Sequence, residues 1–199
     1  MSPVIIILST IGYAGIHSWL ATVGVKSQAR QLLGTKTDRW YRLAYNIFAG
    51  ISFLPILWLL AVLPDQNLYI IPMPGVILTL LGQTIGAVIV VLGVLQTDAW
   101  HFLGVRQLFE TTDQSPNQEL SIRGLYSWVR HPLYFGGLIF IWLTPKMTVN
   151  LLTLFIILTI YLFVGAKWEE KRLVQEFGPA YQEYQQRVPM LIPWFRKRK

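Results

Sequence analysis

Apolar residues in this chain gather in long uninterrupted runs instead of alternating with polar ones. Runs over about 4–24, 43–63, 72–96, 132–145 and 148–166 predict five helices, because roughly 20 consecutive apolar residues are what a helix needs to cross a bilayer. The fourth run is short. It predicts a helical hairpin with the fifth, turning at Pro145-Lys146-Met147, with a re-entrant segment as the other way to accommodate it. Beyond the fifth run, Leu173, Phe177, Tyr181, Tyr184 and Val188 recur every three or four residues, and Gly178-Pro179 interrupts the series. That spacing predicts an amphipathic tail helix, either a plain anchor on the membrane surface or a cover closing over the spans. The expected class is an all-α integral membrane protein, a single domain over residues 1–199 with a C-terminal helical hairpin and a cytoplasmic tail helix.

Charge gives this pattern a direction. Only 14% of residues are charged, against 53% hydrophobic, and the net charge of +7 sits in a few short stretches. The loop after the first run holds Lys26, Arg30, Lys36, Arg39 and Arg42 against one acid, Asp38, whereas residues 64–71 hold only Asp65. The positive-inside rule therefore places 26–42, 97–131 and 167–199 in the cytoplasm, with the N-terminus outside and the C-terminus inside, as in a bacterial inner-membrane protein. Charge confined to loops beside spans argues against a nucleic-acid partner and for membrane lipid. The first run has no basic stretch before it and is too long for a signal-peptide core, so it is expected to be retained. The absence of cysteine excludes thiolate metal sites and a cysteine nucleophile. No glycine-rich nucleotide loop and no His-Glu-x-x-His pattern occurs, so a cofactor would have to be held by helices.

Chemistry is expected in the polar stretches 97–131 and 167–199. The densest motif is Arg123-Gly-Leu-Tyr126-Ser-Trp-Val-Arg130-His131-Pro132-Leu-Tyr134. Pro132 suits the first turn of a helix and makes His131 its cap, so the helix start, with Arg130 and His131, favours an anion. A basic membrane-edge anchor with an aromatic belt reads the same way. Glu169 and Glu170 follow the fifth run, and paired carboxylates there are either solvated or turned into a cationic site. The hairpin brings them to the same end as Arg130-His131-Pro132. Anion donors, carboxylates and aromatic faces together suit a zwitterionic sulfonium cofactor such as S-adenosylmethionine. Asp98 and His101 are spaced to share a helical face and can form a hydrogen-bonded base. His17 lies inside the first run, either functional or bonded to a neighbouring helix.

The string Gly124-Leu-Tyr126-x-x-x-Arg130-His131-Pro132-x-Tyr134-x-Gly136, then Glu169-Glu170-x-x-Leu173-x-x-x-Phe177-Gly178-x-x-Tyr181-x-x-Tyr184 and Val188-Pro189, resembles the membrane methyltransferases typified by isoprenylcysteine carboxyl methyltransferase and the phospholipid methyltransferases. The resemblance implies S-adenosylmethionine as cofactor, held by His131, Tyr134, Glu169 and Glu170, flanked by Tyr126 and Arg130 and covered by the tail with Tyr181. Candidate catalytic residues are Asp98, His101 and Glu170. The front half, with His17-Ser18, Tyr41-Arg42, Tyr45-Asn46 and Gly104-Val-Arg106-Gln107, is similar to methanethiol S-methyltransferases and to a denitrification-associated membrane family. Prenylcysteine enzymes usually carry an Arg five residues before the second Glu; this chain has Gly165 there. That departure points to a lipophilic or small thiol acceptor over a prenylcysteine carboxylate or a lipid. Readings of another class are a non-catalytic membrane partner protein and a sterol-reductase-like enzyme using a nicotinamide.

Overall fold

The computed structural model describes residues 1–97, 99–109, 120 and 122–193, the side chains of His101 and Phe102 excepted. The apolar runs become α1 (Ser2–Leu20), α3 (Thr37–Val62), α4 (Gly75–Gln96) and α8 (Val149–Phe177), joined by α2 (Val23–Leu33), α5 (Ala99–Leu103), α6 (Arg106–Phe109), a 3-10 turn (Gly124–Ser127), α7 (Pro132–Trp142) and α9 (Pro179–Arg187). Among the described residues, α1, α3, α4 and α8 are long and apolar enough to cross a membrane. Leu8, Trp58, Leu78 and Ile160 each expose more than half of their surface, which suits lipid and not water. The chain has the make-up of an integral membrane protein.

The helix formed in the expected fourth run is shorter than the hydrocarbon thickness. α7 has 11 residues, about 16 Å of helix, and stops at Trp142, short of Pro145, whose ring cannot continue it. The expected tight turn is instead a strand, β2 (Lys146–Thr148), pairing with β1 (Asn67–Ile70) in a two-stranded sheet. Ile71 N donates to Pro145 O at 2.9 Å and Val149 N to Gln66 O at 3.0 Å, so backbone groups at the hairpin end find partners in each other. Span five and the tail are also not separate helices. α8 runs through 29 residues, about 44 Å, which exceeds the ~30 Å hydrocarbon thickness. Glu169 lies about one bilayer thickness from its start. The helix ends where expected, at Gly178, whose φ of +57° is open to glycine at little cost, and Pro179 starts α9.

Two compact units make up the described chain. The first contains residues 1–68, 99–109 and 148–157. Its α1 and α3 are linked by Tyr13 Oη to Ala49 O at 3.3 Å, Tyr41 Oη to Leu20 O at 2.7 Å and Tyr45 Oη to His17 Nε2 at 2.8 Å. Asn46 Nδ2 donates to Leu103 O at 3.0 Å, tying α5 to α3. Asp65 caps α8, accepting from Asn150 N at 3.0 Å, as an acid at a helix start should.

The second unit contains residues 69–97, 120, 122–147 and 158–193. α4 and α7 meet backbone to backbone. A Cβ at Gly86 would fall 2.7 Å from Gly136 O, and one at Gly136 would fall 2.7 Å from Gly86 O, so only glycine permits this approach. Gln96, at the end of α4, accepts from Leu125 N at 3.1 Å and fixes the 3-10 turn that leads into α7. Val129, Ala166, Tyr181, Tyr184 and Leu191 form its buried core.

Candidate functional site

The second unit brings together seven of the nine residues named from sequence as catalytic or cofactor-binding: Tyr126, Arg130, His131, Tyr134, Glu169, Glu170 and Tyr181. Asp98 and the side chain of His101 lie outside the described residues.

Pro132 fixes the start of α7, and His131 stands before it with non-helical dihedrals, φ −123° and ψ 70°. The backbone N–H groups of Arg130 and His131 are not left for an anion. They donate to Pro189 O at 2.9 Å and Met190 O at 3.1 Å, so the segment after α9 lies along the helix entrance. Arg130 is equally committed. Its Nε donates to Glu170 Oε1 at 2.6 Å, and its Nη1 to Gln185 O at 3.0 Å and to Val188 O. Gln185 Nε2 donates to the other Glu170 oxygen at 3.0 Å. The side chains of Arg130 and Glu170 are 9% and 7% exposed. A buried ion pair is tolerated when further hydrogen bonds satisfy its groups, and Gln185 and the tail carbonyls supply such bonds here.

Glu169 differs. Its side chain is 36% exposed, with Oε2 3.5 Å from His131 Nδ1 and accepting from Tyr134 Oη at 3.0 Å. The His131 and Tyr134 rings stack at 5.2 Å, 3° from parallel. On its other side, His131 Nε2 lies 3.3 Å from Glu170 Oε1, buried and without an aligned hydrogen-bond partner. His131 thus stands between the two carboxylates. Burial by itself would lower its pKa; the close approach of Glu169 and Glu170 on its two sides outweighs that and raises it above the ordinary 6.5.

The tail tyrosines close the other flank. Tyr181 is 1% exposed and meets Tyr184 edge-on at 5.7 Å. Tyr184 Oη donates to Tyr126 O at 2.5 Å. Burial, then the charge of Glu169, pushes Tyr126 up to about 12. Burial raises Tyr181 and Tyr184 as well, each with further electrostatic help, from Glu170 for Tyr181 and from Tyr181 for Tyr184. All three enter the site as neutral phenols. Sequence reasoning missed Gln185 and the carbonyls of Gln185, Val188, Pro189 and Met190. The spacing Tyr181, Tyr184, Gln185, Val188 was the available signal, since it puts all four on one face of the tail.

Chemically, the arrangement offers an open carboxylate, an imidazole of raised pKa beside it and a flat aromatic pair, backed by a closed latch. Residues 76–180 match the model of a family described as phospholipid methyltransferase. Methanethiol S-methyltransferase 1 of Bradyrhizobium diazoefficiens is 31% identical over 92% of this chain, which spans 64% of that relative's length. Methanethiol S-methyltransferase of Pseudomonas sp. is 33% identical over 91% of this chain and 69% of its own. Protein-S-isoprenylcysteine O-methyltransferase of Saccharomyces cerevisiae is 33% identical over 58% of this chain and 51% of its own. No solved structure matches the chain.

Proposed function

The chain belongs to the phospholipid methyltransferase family, and from that premise we propose that it moves a methyl group from S-adenosylmethionine to a lipophilic or small thiol at the cytoplasmic face of the membrane. The observation that carries the reading is the unequal pair of carboxylates: Glu170 is satisfied within the protein while Glu169, a third exposed, faces outward beside His131 and Tyr134.

That donor set fits S-adenosylmethionine. Bound there, the cofactor supplies an electrophilic methyl on a sulfonium, and transfer needs no nucleophile from the protein. Glu169 provides acceptors for an ammonium or ribose hydroxyls, His131 provides positive charge for a carboxylate, and the stacked His131–Tyr134 rings provide a face that favours a cation. Arg130 and Glu170 hold these groups in place from behind. Tyr181 and Tyr184 exclude water, which favours the desolvated thiolate as attacking species. For the thiol to attack as a thiolate, the chain would have to let its proton pass to water or to a base. Asp98 with His101 is our candidate base. The names of the methanethiol relatives and Gly165 in place of an Arg support a thiol over a carboxylate. The basic residues of 26–42 support the inside placement of that side.

A competition assay tests the reading. Labelled S-adenosylmethionine is given to the detergent-solubilised protein with a short alkyl thiol and a farnesylated cysteine analogue together. The thiol is expected to take the label faster. A faster farnesylated acid would overturn the thiol preference, and no transfer without any cofactor binding would overturn the activity.

A further inference from the structure

The first unit carries a helix that methyl transfer does not call upon. α1 has 19 residues, about 29 Å, and fills the ~30 Å hydrocarbon thickness by itself. α3 has 26, about 39 Å, and its apolar run begins only at about residue 43, so its polar first turns project past the hydrocarbon. α2 joins these two ends and therefore sits at the membrane surface. It is held there from both sides. Thr22 caps it, its Oγ1 donating to Trp19 O at 2.7 Å and accepting from Val25 N at 3.4 Å. Asp38, on the first turn of α3, meets Lys26 at 3.4 Å and Arg30 at 3.3 Å.

The helix is two-faced. At 3.6 residues per turn, Val25, Ala29, Leu32 and Leu33 fall within an arc of about 100°, and Lys26, Arg30, Ser27, Gln28 and Gln31 lie outside it. The protein covers only part of that arc. Val25 and Ala29 are half-buried, while Leu32 and Leu33 expose 83% and 63% of their surface. Trp19 and Trp40, both exposed, stand at the two ends that α2 joins, where indoles favour the headgroup level.

Charge selects what covers this face. One acid, Asp38, is shared by two cations whose side chains remain 49% exposed, and Lys36 and Arg39 beside it are exposed as well. We propose that α2 and the start of α3 form a docking surface for anionic phospholipid. Leu32 and Leu33 enter the boundary between headgroups and acyl chains, and Lys26, Arg30, Lys36 and Arg39 attract the phosphates. Cations alone would suit any polyanion and leucines alone any apolar partner; an anionic lipid surface offers both complements at the depth where α2 lies. A zwitterionic headgroup answers the excess positive charge less well, because its ammonium offsets its phosphate.

The test titrates the full chain in detergent with dioleoyl phosphatidylglycerol and with dioleoyl phosphatidylcholine. Bound lipid is counted by native mass spectrometry at low and at raised ammonium acetate, and a thermal melt of each variant reports folding. Wild type is expected to hold phosphatidylglycerol about tenfold more tightly, with the preference shrinking as salt rises. Lys36→Gln with Arg39→Gln, at residues outside the Asp38 ion pairs, should lower that affinity about tenfold at nearly wild-type Tm. Leu32→Ser with Leu33→Ser should weaken it too, and Lys146→Gln, on β2, should leave it alone. Equal binding of the two lipids by wild type, or undiminished phosphatidylglycerol affinity in either folded double variant, overturns the surface. Displacement of the lipid by millimolar inorganic phosphate would make the patch a site for the free anion and overturn lipid as its occupant.

Discussion

Glu169 and Glu170 are neighbours in the chain and opposites in their surroundings. Glu170 is 7% exposed, bonded to Arg130 and Gln185, and tied through Arg130 to the carbonyls of the tail. Glu169 is 36% exposed, and among the described residues His131 and Tyr134 both meet it at Oε2. On a helix, adjacent side chains point about 100° apart, so one α8 turn presents a carboxylate to the latch and another to the open side. The same residue type is satisfied within the protein in one place and left open in the other. What separates the two is whether the protein has already used the carboxylate's acceptors.

The latch should be the more costly side to break. Arg130→Ala leaves Glu170 buried without its cation and removes donors from two carbonyls, so a loss of about 3–5 kcal/mol is expected, seen as a large drop in Tm in detergent. Glu169→Gln should cost little in Tm but weaken S-adenosylhomocysteine binding by about 1–3 kcal/mol, the range for a charged hydrogen bond. A Tm drop as large as that of Arg130→Ala would erase the contrast.

A pH titration sharpens it further. Because the folded-state pKa of His131 is raised, the stability its cation contributes is fully present below the unfolded value near 6.5 and is lost as pH rises through the folded value. Wild type should lose Tm over that interval, and His131→Gln should flatten the slope. The smallest effect is expected from Tyr184→Phe, which removes the bond to Tyr126 O and should cost about 1 kcal/mol of stability, leaving cofactor affinity close to wild type.

Much of the fold and the convergence of the site was legible in the sequence, and the reasons the reading was incomplete are physical. Run length located the membrane helices because a bilayer imposes a minimum length, and Pro132 and Gly178-Pro179 marked helix ends because both act through the local backbone. Tyr126, Arg130, His131, Tyr134, Glu169, Glu170 and Tyr181 converge as the hairpin argument required. What each one touches was not legible. Arg130 looked like an anion binder; its guanidinium is spent on Glu170 and tail carbonyls, and those carbonyls belong to main chain that carries no side-chain signal. Glu170, and not Glu169, stood beside Asp98 and His101 as a catalytic candidate, because sequence gives the separation of the two carboxylates along α8 and not which side α9 covers. The β1–β2 pairing was invisible for the same reason: its bonds join segments far apart in the chain, and Asn67–Ile70 has no alternation to announce a strand.

The central claim is that the open carboxylate binds and the buried one holds. Isothermal titration with S-adenosylhomocysteine, run on Glu169→Gln and Glu170→Gln beside a thermal melt of each, tests it most directly. The account expects Glu169→Gln to lose affinity by about tenfold or more at nearly wild-type Tm, in keeping with a charged hydrogen bond, and Glu170→Gln to lose Tm first while its folded fraction still binds. Full affinity in Glu169→Gln, with binding abolished in a Glu170→Gln protein of unchanged Tm, would contradict it.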